Sequence, residues 1–293
     1  MRGSKETGYF HICTDGRALP WMFQDEEDFI AGVNRMAICQ LMSGVIIVCF
    51  ILMDNHIHAV LHGPILKCKE FINLYKRLTG KWISVKYGIR DHLKHLPAEI
   101  IYIADEESLL NTIAYIDRNS IVAGYRFMPR EYPWGTARYM FKERSEIGSH
   151  DLTKISDLTV RAKRELFNTR ITLPDEWTVD SKGMLDPTSF IDIRRLENYF
   201  KTPARYSYFL AKKLEGIVES NMANALKTFM PDKELRPVTR QIAQRMFGQD
   251  DIRALDVRSR IRIAKELRYG YMSTLKQISR MVFLEEDMLE GFI

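Results

Sequence analysis

The sequence predicts an α+β protein: a sheet-and-helix domain over residues 1–146, a linker or docking segment over 147–202 and a small all-α domain over 203–293. Three observations predict it. In the first half, apolar runs of strand length, Tyr9–Thr14 and Val45–Leu52, alternate with stretches whose apolar residues recur at helical spacing. From Ile147 to Thr202 that pattern weakens, and Pro174, Gly183 and Pro187 punctuate it. Beyond Pro203 the chain reads as short helices separated by turns.

At 293 residues the chain is long enough for two cores. With 46% hydrophobic and 28% charged residues and no low-complexity tract, it is globular rather than disordered. Its longest apolar stretch, Gly44–Met53, is about half of what a bilayer span needs and reads as a buried strand. The opening MRGSKETGYF has no apolar signal region, so the expectation is a cytoplasmic protein with no membrane partner. Four cysteines, at 13, 39, 49 and 68, show no CxxC spacing and read as reduced structural thiols. A net charge of +5 permits a polyanionic partner without demanding one.

The elements follow in order. Tyr9–Thr14 suits a strand. Asp25 is placed to cap a helix in which Phe29, Val33, Met36, Ala37 and Leu41 recur at helical spacing, with Glu26, Glu27 and Asp28 complementing its N-terminus. The strand Val45–Leu52 is followed by HIHAVLHG as its hairpin partner. A second helix from Cys68 presents Phe71, Leu74, Tyr75, Leu78, Trp82 and Val85 on one face, and carries Lys69, Lys76, Arg77, Lys81 and Lys86 on the others. Those bases describe a solvated face or a phosphate-contacting one equally well. After IIYIAD comes a third helix, Glu106 to about Asn119, and REYPWGTARYMF reads as a tail packing back on the domain. This order is the grammar of a ferredoxin-like domain with an antiparallel sheet.

Within MDNHIHAVLHG, strand alternation sends His56 and His58 to one face, roughly 7 Å apart, and Ile57, Ala59 and Leu61 to the other. Two imidazoles at that spacing can converge on a cation, and they equally describe surface histidines of an amphipathic strand. The third helix adds weight to the first reading. Its apolar stripe is Leu109, Leu110, Ile113 and Ile116, which leaves Tyr115 and Asn119 one turn apart on another face. A phenol and an amide so placed offer a nucleophile beside a neutral oxygen ligand, although a tyrosine there also suits a core or rim position.

These segments resemble the single-tyrosine HUH transposases, and within them the REP-associated tyrosine transposases. FILMDNHIHAVLHG is similar to the family's HUH segment, YIDRNSIVAG to its YIxxNPVxAG segment, YPWGTARYM to the tail that follows, and GYFHICTDGRALPWMFQDEEDF to its opening; together they cover about residues 8–142. The resemblance implies a nuclease domain in which His56, His58 and Asn119 hold a divalent metal, Mg²⁺ or Mn²⁺, and Tyr115 is the nucleophile. Asp54 and Ser120 stand where the family usually has proline. The implied reaction is nicking and rejoining of single-stranded, hairpin-flanked DNA through a 5′-phosphotyrosine, in a nucleoid-associated bacterial protein acting as a monomer or a homodimer. Lys76, Arg77, Lys81, Arg118 and Arg126 are then candidates for DNA-backbone contact.

Between Arg258 and Arg280 seven basic residues face a single acid, Glu266, and the pattern resembles a helix-turn-helix module whose first helix runs from Thr274 to Met281. Arg258, Arg260, Arg262, Lys265 and Arg268 are its candidate DNA contacts. The helix that would enter the groove carries Glu285, Glu286, Asp287 and Glu290, which argues instead for binding through the basic helix or for packing on protein. A domesticated regulator that binds hairpins without cutting them is the rival reading. A histidine-triad hydrolase is excluded by Val60, and a two-motif phosphodiesterase by the lack of a second copy.

Overall fold

Residue alternation in the strands and capping residues at the helix ends account for the architecture of the first half. The computed structural model describes residues 7–16, 18–19, 21–123, 128–142, 151–212, 232–271, 273 and 275–293. They fall into two compact units, one within 1–121 and 127–210, the other within 122–126 and 211–293.

The first unit opens with β1 (Thr7–Thr14), α1 (Glu26–Ser43), β2 (Ile46–Leu52), β3 (Ile57–Pro64), α2 (Ile65–Tyr87), β4 (Ala98–Ile103) and α3 (Glu106–Val122). The strands form an antiparallel sheet in the order β2-β3-β1-β4. The Asp25 side chain accepts from the Asp28 N–H to start α1, and Gly44, at φ 71°, ends it. α2 begins at Ile65, three residues before the expected Cys68, because Pro64 supplies an extended N-cap.

One face of the sheet, including Phe10, Ile12, Ala59 and Leu61, packs on Val33, Met36, Phe71 and Tyr75 of α1 and α2. By alternation the other face carries His11, Cys13, His58 and Val60. Val85, expected on the apolar face of α2, is exposed because its turn runs past the end of that core.

β2 is an edge strand, and the tail expected to pack back covers it. The Leu52 N–H donates to the Trp134 carbonyl, the Tyr132 hydroxyl to the Leu52 carbonyl, and the Phe50 N–H to Thr136 Oγ1.

Residues 151–202 dock on the same unit through a two-stranded ribbon of β5 (Thr153–Lys154) and β6 (Thr178–Val179), with α4 (Val160–Phe167) and α5 (Ile193–Phe200). Ile155, Phe167, Trp177 and Leu185 join the main core. The amide of Asn34 pairs with both the Gly183 carbonyl and the Leu185 N–H, so a helix side chain satisfies the backbone of the docked segment. α6 (Pro203–Ala211) belongs to this unit as well. The division expected at residue 203 falls instead after Leu210, because Tyr206 and Phe209 are buried here.

The second unit contains α7 (Asp232–Phe247), α8 (Val257–Gly270), α9 (Leu275–Val282) and α10 (Glu286–Glu290), around a core of Leu235, Ile242, Ile263, Leu267, Ile278 and Leu289. Thr274, expected to open the first helix of the module, lies outside the described residues. No helix among the described residues is long and apolar enough to cross a membrane.

Candidate active site

The site is built on the sheet face that carries the histidines. His56 lies in the turn before β3, closed by the Met53 N–H donating to the His56 carbonyl at 2.8 Å, and His58 is the second residue of the strand. Their rings are 4.9 Å apart and nearly perpendicular. α3 brings Tyr115 edge-on to His58, with ring centroids 5.5 Å apart. The Asn119 side chain lies close enough to His56 to shift its titration. The Asn119 amide nitrogen donates back to the Tyr115 carbonyl at 2.9 Å and the Ile116 carbonyl at 3.2 Å, which holds the amide on its own helix. Two sequence motifs more than fifty residues apart thus supply one cluster.

The orientation of His56 is set by a residue that motif reasoning passed over. Asn55 Nδ2 donates to the Gly16 carbonyl at 2.6 Å, so its Oδ1 must be the atom that meets His56 Nδ1 at 2.7 Å. An amide oxygen only accepts, so His56 Nδ1 carries the proton and its lone pair lies on Nε2. Gly16 approaches so closely that an added Cβ would stand 2.8 Å from His56 Nδ1.

Two further residues of this face, His11 and Cys13, were not singled out from the sequence. His11 Nε2 lies 3.0 Å from His58 Nδ1, and the His11 ring is edge-on to Tyr115 at 5.9 Å. Cys13 stands directly opposite His58 in the β1–β3 register. The ligand atoms of His11, Cys13 and His58 all lie within 4.8 Å of one another, close enough for a metal-binding triplet. The signal was present in YFHICT, where HIC on one strand mirrors HIH on its neighbour.

Burial keeps these imidazoles neutral. It lowers His11 to about 4. His58 falls to about 2 through burial and then through its two histidine neighbours. His56 is lowered by burial, which outweighs the opposing influence of Asn119 and of the Asp54 and Asp15 charges. Tyr115 is 45% exposed, and desolvation raises its phenol, with Cys13 adding to the shift and Arg118 opposing it. The phenol is therefore reachable, and its surroundings favour the protonated form.

The expected DNA contacts divide. Arg77 and Lys81 are exposed on α2 and line a cleft of about 550 Å³ with Arg90 and Lys94. Lys76 lines it too, but its ammonium donates to the Leu96 carbonyl. Arg118 is not a surface contact: only 3% exposed, it donates to the Phe209 and Leu210 carbonyls at 2.7 and 3.3 Å, where the end of α6 needs donors. Arg126 lies outside the described residues.

On α8, Arg258 is exposed and Lys265 half-buried. Arg260 donates to the Phe283 carbonyl, Arg268 to the Ser273 carbonyl, and Arg262 stacks on Phe247. Much of the basic helix thus clamps its own bundle. A cleft of about 470 Å³ elsewhere in this unit brings Arg236, Arg240 and Arg253 together with Arg280, beside Asp250 and Asp251. Comparisons of the chain with models of protein families, with curated proteins and with solved structures found no match.

Proposed function

We propose that this chain is a metal-dependent DNA strand transferase of the single-tyrosine HUH type, with a ferredoxin-like nuclease domain and a C-terminal unit that binds DNA. The observation that carries the reading is the convergence of Tyr115, His56, His58 and Asn119 on one sheet face. The strand order β2-β3-β1-β4, with its two α-β crossings, supports the ferredoxin-like reading.

The residues fit a divalent ion. Both imidazoles are neutral, Asn55 turns the lone pair of His56 onto Nε2, and the Asn119 side chain meets that ring. His56, His58 and Asn119 would hold Mg²⁺ or Mn²⁺, the two nitrogens favouring Mn²⁺. The ion would supply electrostatic stabilisation of the charge on the phosphate oxygens.

The remaining chemistry belongs to the chain. Tyr115 Oη attacks the phosphorus of a single strand and gives its proton to solvent, a phosphotyrosine bond forms to the 5′ side as the P–O3′ bond breaks, and the departing 3′ oxygen takes up a proton from solvent. Attack of a second 3′-hydroxyl on that bond reverses the step and rejoins DNA without ATP. Arg77 and Lys81 provide sequence-independent contact to the strand.

The test is denaturing electrophoresis of labelled single-stranded hairpin DNA, from the flanks of the protein's own gene, incubated with the chain and Mn²⁺. A covalent adduct is expected for the wild type and none for Tyr115→Phe. Binding without adduct in the wild type would replace this reading with the non-cleaving regulator.

A further inference from the structure

The sheet face that carries the proposed nuclease ligands also carries a second, thiol-containing set that shares only His58 with them. His11 and Cys13 are alternate residues of β1, so they share a face, and Cys13 is paired directly with His58 of β3. A tetrahedral ion with Zn–N of about 2.0–2.1 Å and Zn–S of about 2.3 Å sets its ligand atoms roughly 3.3–3.6 Å apart. His11 Nε2 and His58 Nδ1 are 3.0 Å apart, and Cys13 Sγ completes a triplet within 4.8 Å. Small side-chain rotations on a rigid ladder bring all three to an ion.

Cys13 is the one cysteine of the four that is not buried, and Glu99, its partner on β4, adds negative charge beside the thiol together with Asp15. A sulfur and two imidazoles select a soft ion over Mg²⁺ or Mn²⁺. A neutral imidazole has a single lone pair, so His58 serves one ion at a time.

We propose that His11 Nε2, Cys13 Sγ and His58 Nδ1 bind Zn²⁺, and that this occupancy excludes the nuclease metal by taking the only lone pair His58 has. On binding, the thiol proton passes to solvent, the proton shared between His11 Nε2 and His58 Nδ1 moves by way of solvent to the far nitrogen of its ring, and nothing is oxidised or reduced. The site itself stands on geometry alone; its role as an off-switch rests on the nuclease reading above.

Cobalt is the direct probe, since a Co²⁺–thiolate bond absorbs in the near ultraviolet. Titration of the full chain with Co²⁺ is expected to give that band, Zn²⁺ to bleach it at one equivalent, and Cys13→Ser to lack it. Cobalt binding without the band, or a band that survives in Cys13→Ser, overturns the site.

Exclusion is read without DNA, from the paramagnetic resonance of free Mn²⁺. Zn²⁺ should release bound Mn²⁺ from the wild type, and Cys13→Ser should need at least tenfold more Zn²⁺ for the same release. Equal Zn²⁺ for both, or no dependence of Mn²⁺ on Zn²⁺, overturns the exclusion. A chain with the thiolate band but no Tyr115 adduct upholds the site and sinks the nuclease reading.

Discussion

Gly16 shows how much of the site depends on a single missing methyl group. Any side chain there would put its Cβ 2.8 Å from His56 Nδ1, inside van der Waals contact. Gly16→Ala is therefore expected to swing His56 off Asn55 and weaken Mn²⁺ binding at least tenfold, with little change in thermal stability. A calorimetric Mn²⁺ titration checks this, and an unchanged affinity would remove Asn55 from the role of orienting His56. Asn55→Ala should give a similar loss, since it frees the imidazole to rotate.

At the scale of the element, α3 does two jobs on opposite sides. One side presents Tyr115 and Asn119. The other buries Asp117 and Arg118 against α6, where the Tyr206 hydroxyl donates to Asp117 Oδ2 at 2.7 Å. Asp117 Oδ1 has no partner, and burial raises the carboxyl to about 7. The folded state thus holds a proton that the unfolded chain releases near 3.8, and stability from this group is lost as pH rises from about 4 to about 7.

Asp117→Asn removes that dependence. Relative to wild type it should gain roughly 1.4 kcal/mol per pH unit across the window, as read from urea midpoints at pH 4.5 and 6.5. Taking the difference cancels His11 and His58, whose lowered values act in the opposite direction below 6.5. Arg118→Met should cost about 2–4 kcal/mol, because it strands the carbonyls at the end of α6. It should not change the salt dependence of DNA binding, as measured by fluorescence anisotropy; a smaller slope would return Arg118 to the interface.

At the scale of the whole molecule, net charge says little and the fate of each cation says more. Arg77 and Lys81 remain exposed, whereas Lys76, Arg118, Arg260 and Arg268 are spent on carbonyls. The double substitution Arg77→Ala with Lys81→Ala should weaken single-strand binding similarly for all sequences. It should also reduce the slope of log K against log salt by about 1–2. A slope equal to that of the wild type would place the DNA elsewhere on the molecule.

Local rules determined the helices and strands of the first half. The Asp25 cap, the alternation of HIHAVL and the helical spacing of Leu109, Leu110 and Ile113 each depend on neighbours a few residues away, which is why they were readable. The residues proposed for a nuclease site were singled out for a different reason, the resemblance of four ordered segments to a family.

Long-range pairing decided the rest. His11 and Cys13 became partners of His58 only through the β1–β3 register, and Asn55 became an orienting group only when the chain near Gly16 came beside it. The docked segment around Trp177 lacks a strong repeat because its own ladder is only two residues long and Asn34 and Gln40 of α1 satisfy further backbone groups in it. Arg118 left the list of DNA contacts for the same reason. A charge written in sequence becomes a surface charge only if no buried carbonyl claims it first.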